Sequence, residues 1–565
     1  MSLVPRRSFV ASLVAAGAIT PTLLLHELVR AQLVESGAQE ITPEMILAAA
    51  AVAGLALTRE QAEAMVEDVV EHVERYAELE AEPLGNDVPL PIHFDPRVPG
   101  VTIDRVERPV ITSRPGVERP ADLDDVAFWP ITRLALLVET RQVTSAELTE
   151  LYLRRLRQHG PTLECVVTLT EARARASAAR ADAEIAAGGY RGPLHGLPYG
   201  VKDIIAVRGY PTTWGAAPYR EQVVDVDATV VQRLDEAGAV LVAKLTTGEL
   251  AFGDRWFGGR TNNPWNPEEG SSGSSAGSAA ATAAGLVAFA IGTDTGGSIL
   301  SPAERCGIIG LRPTFGRVSR HGVMAAGTSL DKIGPLTRTA EDAAIVLHAI
   351  AGPDELDLSV PHAVPVHWDA TLDTSALRVG YHASTFAAEP DAEYRAHHAR
   401  VMAALQAIAG ELRPVELPPS NLNFFVEFVE RAAGFEDLVR SGRDAELQRP
   451  VHGTELRAYS LVPAVAYLQA NRMRYRLMQE THAAIADVNI VLGPRTLWDP
   501  ARSLNPLTSL TGHPVVAVPT GLGADGAPLG ITLMGRLYRE GELLAVAQRL
   551  QEAMGFPTLR PPLFS

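Results

Sequence analysis

One serine in this chain stands behind two consecutive glycines at the end of an apolar run. Residues 289–298 read FAIGTDTGGS, so Ser298 follows Gly296 and Gly297 after a predicted buried strand. Because glycine reaches backbone conformations that other residues avoid, this turn lets successive N–H groups converge on one point. Converging donors beside a serine hydroxyl suit acyl transfer, since they stabilise the oxyanion while the hydroxyl attacks. The turn therefore predicts a nucleophile at Ser298.

A serine nucleophile must pass its proton to a base, and two residues upstream are candidates. His195 precedes a Gly-Leu-Pro turn, where a single histidine more often has a structural role. Lys202 follows the apolar strand end at 199–201 and precedes two further apolar positions after Asp203. Lys202 either pairs with Asp203 at the surface or is buried and uncharged, because burial lowers the pKa of a lysine toward ~7. Spacing alone leaves both alternatives open.

Three segments of the sequence together resemble the amidase signature family. They are GLPYGVKDII at 196–205, GSSGSSAGSAAATAAGL at 270–286 and GTDTGGSILSPA at 292–303. The likeness extends over about 128–562 and includes SLDKIGPLTRTAEDAA at 329–344. It implies an α/β fold with a large mixed β-sheet core covered by helices on both faces. It also implies a Ser–cis-Ser–Lys triad.

The resemblance, carried over position by position, implies roles for individual residues. Ser298 matches the nucleophile, Ser274 the bridging serine after a cis peptide bond, and Lys202 the base. Asp294 matches an aspartate that supports the loop. The oxyanion hole would consist of the backbone N–H groups of Thr295, Gly296, Gly297 and Ser298. The implied activity is hydrolysis of carboxylic amides, and by the same triad esters or carbamates, through an acyl-enzyme and without cofactor or metal.

The sequence departs from the family pattern directly after the nucleophile. Family members usually have an arginine two residues after the nucleophile, and this arginine is thought to brace the aspartate that Asp294 matches. Leu300 stands at that position here. Arg305, which replaces a usually apolar residue, either takes over the bracing or has a packing or surface role. Both alternatives stay open.

Two other motifs suggest serine chemistry of a different kind. Residues 273–277 match the G-x-S-x-G nucleophile elbow, but no apolar strand precedes them. Residues 329–332 match S-x-x-K, but the sequence has neither S-D-N nor K-T-G to accompany it. We interpret both matches as accidental.

Helical and strand-like patterns alternate through the region of the resemblance, which is typical of a sheet covered by helices. The sequence predicts helices at 144–159, 171–187 and 275–286 and buried strands at 240–242 and 287–291. Residues 415–480 contain further helical stretches that in such enzymes usually shape the acyl pocket. Their aromatic residues suggest an aryl or aliphatic acyl group, or equally a hydrophobic core; they include Phe424, Phe425, Phe428 and Tyr467.

The predicted amidase signature domain spans 126–565, and three segments precede it. Residues 1–31 combine Arg6 and Arg7 with an apolar stretch of small residues, which indicates a twin-arginine export signal. We therefore expect a periplasmic or extracellular location. The alternative interpretation of residues 1–31 is an uncleaved membrane anchor or a frayed amphipathic segment at the N-terminus. The other two predicted segments are a small helical module at 32–79 and a proline-rich extended strap at 80–125.

Two helix starts stand out in the small helical module. Thr42 and Pro43 form a cap followed by proline in the first turn, and Thr58 with Gln61 forms a capping box. The module resembles the small helical subunit of the tRNA-dependent amidotransferase. This resemblance offers an alternative function, that of the glutaminase-type A subunit of such an assembly. A catalytically inactive binding protein with the amidase fold is a further alternative.

Composition limits the possible partners. The chain has 565 residues, with 50 Lys+Arg against 67 Asp+Glu and a formal net charge of −17, which argues against nucleic acid. Cys165 and Cys306 are the only cysteines, too few for a disulfide framework or a cysteine zinc site. Beyond the export signal we expect no membrane span. The expected partner is a small-molecule amide substrate, and the sequence does not indicate an oligomeric state.

Overall fold

A computed structural model describes most of the chain. The described residues are 41–80, 84–88, 91–360, 363–410, 412–420, 422–495, 503–556 and 559–564. The predicted export signal at 1–31 lies outside these residues. The chain divides into two compact units, Met1–Leu84 and Gly85–Ser565. Within the described ranges, no helix combines the length and the hydropathy that a bilayer crossing requires.

The described part of the first unit consists of helices. They are α1 (Pro43–Val52), α2 (Arg59–Ala64) and α3 (Val66–Glu80). Helix α1 begins at the expected cap, where the Thr42 side chain accepts from an amide of the first turn and Pro43 follows. Helix α2 begins with the expected capping box of Thr58 and Gln61. The apolar pattern after Thr58 predicts one helix, but α2 ends at Ala64 and α3 follows as a separate helix.

The second unit begins with residues that form little regular structure. The described residues between 85 and 122 contain no helix and a single isolated bridge, from Ile111 to Asp369. A short 3-10 helix, Leu123–Phe128, then leads into the α/β region.

One large sheet organises the rest of the second unit. The strands are β1 (Val166–Leu169), β2 (Pro198–Lys202), β3 (Val240–Leu245), β4 (Arg255–Trp256), β5 (Gly259–Arg260), β6 (Asn262–Asn263), β7 (Asn266–Gly270), β8 (Phe289–Asp294), β9 (Ile309–Arg312), β10 (Lys332–Thr337), β11 (Val379–His382), β12 (Leu412–Val415), β13 (Ile490–Gly493), β14 (Val515–Leu522) and β15 (Pro528–Gly535). Eleven of them form a sheet in the order β1-β3-β2-β8-β10-β9-β14-β15-β13-β11-β12. The sheet is mixed, because β2 pairs in parallel with β3 and β8, whereas β10 pairs antiparallel with β8 and β9.

Helices connect and cover these strands. They are α4 (Ile131–Glu139), α5 (Ser145–Leu163), α6 (Glu171–Ala186), α7 (Thr229–Glu236), α8 (Ala276–Ala283), α9 (Leu300–Cys306), α10 (Ala340–Ile350), α11 (Ala383–Ala387), α12 (Ala392–Ala409), α13 (Asn423–Gly434), α14 (Glu436–Arg440), α15 (Pro450–Tyr459), α16 (Ala464–Ala484), α17 (Leu504–Thr511) and α18 (Glu540–Met554). The predicted helices at 144–159, 171–187 and 275–286 correspond to α5, α6 and α8. The predicted strands correspond to β3 and β8.

Alternate residues of the central strands pack on opposite faces of the sheet, as the period of two in a strand requires. On β14, Val516 and Val518 join a hydrophobic cluster that includes residues of α10, α12 and α18. Val515 and Ala517 join a different cluster, which includes residues of α9, α16 and α17. Helices therefore cover both faces of a large mixed sheet, which confirms the predicted fold class.

Candidate active site

The carboxyl ends of β2 and β8 lie side by side because these two strands are parallel neighbours. Lys202 is the last residue of β2, and Asp294 is the last residue of β8. The turn from Asp294 to α9 carries Ser298. The segment leading into α8 carries Ser274, and the Gly273–Ser274 peptide bond is cis. The fold thus brings the three predicted triad residues to one edge of the sheet, where ligand sites of α/β proteins commonly lie.

Lys202 is fully buried and its amine contacts hydroxyl groups. Its Nζ lies 2.7 Å from Ser274 Oγ and 2.8 Å from Thr293 Oγ1. Thr293 belongs to β8, so the amine bridges β8 and the segment before α8. The pairing with Asp203 that the sequence left open does not occur, since Asp203 forms an ion pair with Lys244 at 2.7 Å.

Burial lowers the pKa of Lys202 to about 7. This value is the net result: Arg431 adds a smaller lowering to that of burial, whereas the carboxylates of Asp294 and Asp331 oppose it. Near neutral pH a large fraction of the amine is therefore uncharged and can accept a proton from a hydroxyl. This is the protonation state that a general base requires.

The two serines of the predicted relay are joined through the backbone. Ser274 is buried and Ser298 is half-buried, as expected for a nucleophile that must meet a substrate. The amide of Ser275 donates to the carbonyl of Ser298 at 3.0 Å. The predicted relay needs two hydrogen bonds. The described structure contains the first, between Lys202 and Ser274. In these described residues no hydrogen bond joins the Ser274 and Ser298 hydroxyls.

The carboxylate of Asp294 fixes the turn that presents Ser298. It accepts hydrogen bonds from the amides of Gly297 at 2.8 Å, Ile299 at 2.7 Å and Leu300 at 3.3 Å. The Gly297 amide is thus occupied, which corrects the prediction that it donates to an oxyanion. Gly297 has φ +123°, and a Cβ there would lie 2.5 Å from the Asn505 side chain, so glycine is required at this position.

The amides of Thr295, Gly296 and Ser298 have no acceptor among the described residues, so these three of the four predicted oxyanion donors are available. Hydrogen bonds to neighbouring side chains fix the position of this segment. Thr295 Oγ1 donates to Asp331 at 2.5 Å, and Asn505 Nδ2 donates to the Gly296 carbonyl at 2.6 Å. Preorganised donors of this kind are what oxyanion stabilisation needs.

Arg312, rather than Arg305, braces Asp294. Arg312 Nη1 donates to Asp294 Oδ1 at 2.8 Å and to Asn505 Oδ1 at 2.7 Å, and the side chains of Arg312 and Asp294 are fully buried. Arg305 instead pairs with Glu269 at the partly exposed surface, so the suggestion that Arg305 replaces the missing arginine at Leu300 is wrong. Burial by itself would raise the pKa of Asp294. The positive charges of Arg312 and Lys332 and the hydrogen bond from the Ile299 amide outweigh burial, so the pKa of Asp294 is lowered.

Sequence reasoning missed several residues that position the site. Thr293 and Asp331 lie within segments that carried the resemblance, so their chemistry could have been noticed. No sequence pattern linked Arg312 or Asn505 to the site, because both lie outside the segments around Asp294 and meet it only in the folded chain. Arg312 ends β9, and only the strand order β8-β10-β9 brings it near β8.

The rejected motifs have structural roles. Ser275, the centre of the G-x-S-x-G match, is buried; its Oγ donates to the Thr293 carbonyl at 3.0 Å and accepts from the Thr293 amide at 3.2 Å. Ser329 of the S-x-x-K match donates to Glu430 on α13 at 2.5 Å. His195 is buried and accepts from the Arg191 amide at 3.1 Å, away from the triad.

The aromatic residues of the predicted pocket region divide into two groups. Phe428 stacks with Phe252 at 5.6 Å and with Tyr459 at 5.0 Å between ring centroids. Phe425 and Tyr467 pack against the hydrophobic core, and Phe425 also contacts the Tyr459 ring edge-on at 6.5 Å between centroids. The side chain of Phe424 lies outside the described part of the structure. In the residues that are described, no group of three or more His, Cys, Asp or Glu is arranged to hold a metal ion.

The chain is similar to proteins of one known family. The sequence profile of the Amidase family matches residues 147–544. The A subunit of glutamyl-tRNA(Gln) amidotransferase from Halorhodospira halophila is 37% identical over 474 residues, covering 75% of this chain and 96% of that protein. A putative amidase, AmiD, of Mycobacterium tuberculosis is 36% identical over 466 residues, covering 78% and 98%. Native peptide amidase from Stenotrophomonas maltophilia superposes with a TM-score of 0.68 at 28% identity, covering 78% and 100%.

Proposed function

The chain belongs to the amidase family and hydrolyses amide C–N bonds, and from this premise we propose that Lys202, Ser274 and Ser298 form its catalytic triad. The observation that supports the proposal best is the buried Lys202 amine, with a pKa of about 7, at 2.7 Å from the Ser274 hydroxyl. An uncharged amine in that position can activate a serine hydroxyl. Carbamates and esters suit the same triad.

The proposed reaction begins with proton transfer. Neutral Lys202 takes the hydroxyl proton of Ser274, Ser274 takes that of Ser298, and Ser298 Oγ forms a bond to the amide carbon. The carbonyl oxygen becomes an oxyanion that the amides of Thr295, Gly296 and Ser298 stabilise. The step requires the Ser274 and Ser298 hydroxyls to approach within hydrogen-bond distance when substrate binds, since catalytic hydrogen bonds often tighten only in the complex.

The second half of the reaction releases the two products. Lys202 returns its proton through Ser274 to the leaving nitrogen, and the C–N bond breaks, which leaves Ser298 acylated. A water molecule then loses a proton to the same relay and attacks the acyl carbon, so the carboxylic acid leaves and Ser298 regains its proton. No atom beyond substrate, water and the triad is needed.

A fluorophosphonate probe tests the triad directly. We expect it to label the wild-type chain at Ser298, with labelling lost in Ser298→Ala and strongly slowed in Lys202→Met. A matched control is Ser275→Ala, which removes a buried neighbouring hydroxyl that the reaction does not use. Absence of labelling in the folded wild type would refute the proposal and would favour a binding protein without activity.

A second candidate function is that of a glutaminase subunit. The 37% identity to the A subunit of an amidotransferase favours it. The resemblance of the helical module to the small amidotransferase subunit is a prediction from the sequence that points the same way. The net charge of −17 opposes binding to tRNA. Ammonia release from glutamine, compared with release from a panel of peptide amides and p-nitroanilides, separates the two functions, because a glutaminase prefers glutamine.

We also propose that the chain is exported. The proposal is supported by the twin arginine at Arg6 and Arg7 and the apolar stretch that follows. Fractionation of cells that express the chain with a C-terminal tag tests it. We expect tagged protein outside the cytoplasm, and retention in the cytoplasm when Arg6 and Arg7 are both replaced by lysine. A cytoplasmic wild-type chain would contradict export and would strengthen the amidotransferase alternative.

A further inference from the structure

An asparagine near the start of the second unit joins two distant parts of the fold. Asn86 Nδ2 donates to the Ala325 carbonyl at 3.0 Å and to the Gly434 carbonyl at 2.9 Å. Asn86 Oδ1 accepts from the Ala325 amide at 2.8 Å. The side chain is half-buried, whereas the neighbouring Gly85 and Asp87 are exposed. Because both polar atoms of the carboxamide are used by main-chain groups, Asn86 fixes the position of those groups.

Ala325 begins a loop that ends beside the proposed oxyanion hole. The loop runs to Asp331, which directly precedes β10. The amides of Ala326 and Gly327 donate to Asp331 Oδ2 at 2.8 and 3.0 Å. The loop therefore closes on its own carboxylate, and Asn86 holds the first residue of the loop.

The other carboxylate oxygen of Asp331 reaches the turn that presents the nucleophile. Thr295 Oγ1 donates to Asp331 Oδ1 at 2.5 Å, and the Thr295 amide is one of the three available oxyanion donors. Residues 325–327 are covalently continuous, so a connected series of contacts runs from Asn86 through this loop and Asp331 to Thr295.

Helix α13 holds the same loop at two places. Glu430 accepts from the Ser329 amide, in the second half of the loop, at 2.8 Å. Gly434, the last residue of α13, lies about one turn further along the helix. Asn86 connects Gly434 to Ala325, so it is the link between the helix and the first half of the loop.

We propose that Asn86 is a positioning residue for the oxyanion hole. The inference rests on the proposed function, in which the Thr295 amide stabilises the oxyanion. A donor stabilises a developing charge best when its position is fixed beforehand. Asn86 holds the loop, the loop holds Asp331, and Asp331 holds Thr295. Asn86 lies in the predicted strap, before residue 147 where the match to the family begins, so a residue outside that match sets the rate of the reaction.

The rate of labelling by a fluorophosphonate tests the proposal. Ser298 Oγ bonds to phosphorus, fluoride leaves, the relay takes the hydroxyl proton, and the phosphoryl oxygen needs the same amides as an oxyanion. Asn86→Ala removes all three hydrogen bonds of the side chain. It should lower the second-order rate constant by about 3- to 10-fold, less than the effect of removing an oxyanion donor outright, which is about 10²-fold or more.

Two isosteric exchanges sharpen this test. Asn86→Asp keeps the acceptor for the Ala325 amide but turns an oxygen toward two carbonyls, so it should slow labelling at least as much as Asn86→Ala. Asp87→Asn is the matched control, because it exchanges the same two groups at the adjacent exposed position. The control should be labelled at the wild-type rate.

Hydrolysis kinetics separate a positioning role from a general loss of structure. The substrate is whichever member of the panel of peptide amides and p-nitroanilides the wild type hydrolyses fastest. Asn86→Ala should lower kcat by about the same factor as the labelling rate and leave KM within about 2-fold, because the oxyanion contact is made in the transition state. A changed KM with an unchanged kcat would contradict the proposal.

A double-mutant cycle shows whether the effect passes through Thr295. Thr295→Val removes the hydroxyl that donates to Asp331, with little change in shape. In that background Asn86→Ala should change the labelling rate by less than about 2-fold, because the series of contacts is already broken. A slowing as large as the one in the wild-type background would show independent effects and overturn the proposal.

The outcomes distinguish this inference from the proposed function. Wild-type chain that is folded but not labelled refutes the proposed function. Wild-type chain that is labelled, together with Asn86→Ala that is labelled at the same rate, overturns the role of Asn86 alone. If Asn86→Ala does not fold, Asn86→Asp takes its place in the kinetics and in the cycle, with the same expected and contradicting results.

Discussion

Two adjacent strands each carry a buried lysine, and the two amines have different surroundings. Lys244 on β3 lies opposite Val201, the neighbour of Lys202 on β2. The Lys244 amine forms an ion pair with Asp203 at 2.7 Å and donates to the Pro211 carbonyl at 2.6 Å. In the described structure the Lys202 amine meets hydroxyl groups and no carboxylate within ion-pair distance.

The two lysines are both buried and differ in their partners, so the partner and not the burial separates the structural Lys244 from Lys202, the proposed base. Burial lowers the pKa of both amines, but at Lys244 the adjacent Asp203 counteracts the effect. At Lys202 the nearest carboxylates, Asp294 and Asp331, act from a distance, and the pKa is about 7. A contacting carboxylate stabilises the charged amine, whereas hydroxyl neighbours leave a proton acceptor available.

The largest expected effect is on catalysis at Lys202. Lys202→Met should lower kcat/KM by about 10²- to 10⁴-fold, since it removes the general base. Thermal unfolding should show no loss of stability, because burial disfavours the charged amine that is removed. Ammonia release and a melting curve of the same preparation check both statements. A variant that keeps more than about a tenth of the wild-type rate would contradict the role of Lys202.

The next effect is on stability at Lys244. Lys244→Met should lower the free energy of unfolding by about 3–5 kcal/mol, because it leaves the buried Asp203 carboxylate without its cation. Urea unfolding measures the difference.

Lys332→Met is the matched control for this experiment. Lys332 is a third buried lysine, and its Nζ has no hydrogen-bond partner among the described residues. Its removal should cost clearly less stability than removal of Lys244. Equal costs at the two positions would show that the ion pair with Asp203 does not determine the difference.

A smaller effect concerns pH. Lys202 is protonated below its pKa of about 7 and uncharged above it, so kcat/KM should rise with pH up to that value and then level off. Below pH 7 the rise should be about 10-fold per unit, as expected for one group that must lose a proton. A pH profile of ammonia release checks this. A rate that is independent of pH between 5 and 7 would exclude an amine of this pKa as the base.

The smallest effect comes from the second hydroxyl partner of Lys202. Thr293→Val removes the acceptor at 2.8 Å from Nζ with little change in shape. Because that acceptor stabilises the charged amine, its loss should lower the pKa of Lys202. The acid limb of the pH profile should then move to lower pH, by less than about one unit. A shift to higher pH would contradict the contact.

Some features of this molecule follow from local sequence and were correctly predicted. The predicted capping box begins a helix where Thr58 stands, because an N-cap side chain satisfies amides only a few residues away. The alternation of helices and apolar runs predicted a covered sheet. The glycine turn before Ser298 was predicted as a turn, and it is one; the Gly297 amide in it donates to Asp294.

Other features involve residues that are distant in the sequence. The brace of Asp294 is one example, since Arg305 is near it in the sequence but Arg312 meets it in space. The neighbour of Lys202 is another, because Asp203 follows it directly yet points its carboxylate at Lys244. Asp203 lies in the turn that follows β2, where its side chain reaches Lys244 on β3, so adjacency in the sequence was misleading in that case.

The sequence by itself determined the helices and strands, the turn at Ser298 and the membership of the family, because these depend on short-range propensities and on matched segments. Only the tertiary structure decided which carboxylate meets which cation and which buried polar atom is left without a partner. Strand order and helix packing set these contacts, and the energy of a buried charge depends on neighbours that no local pattern specifies.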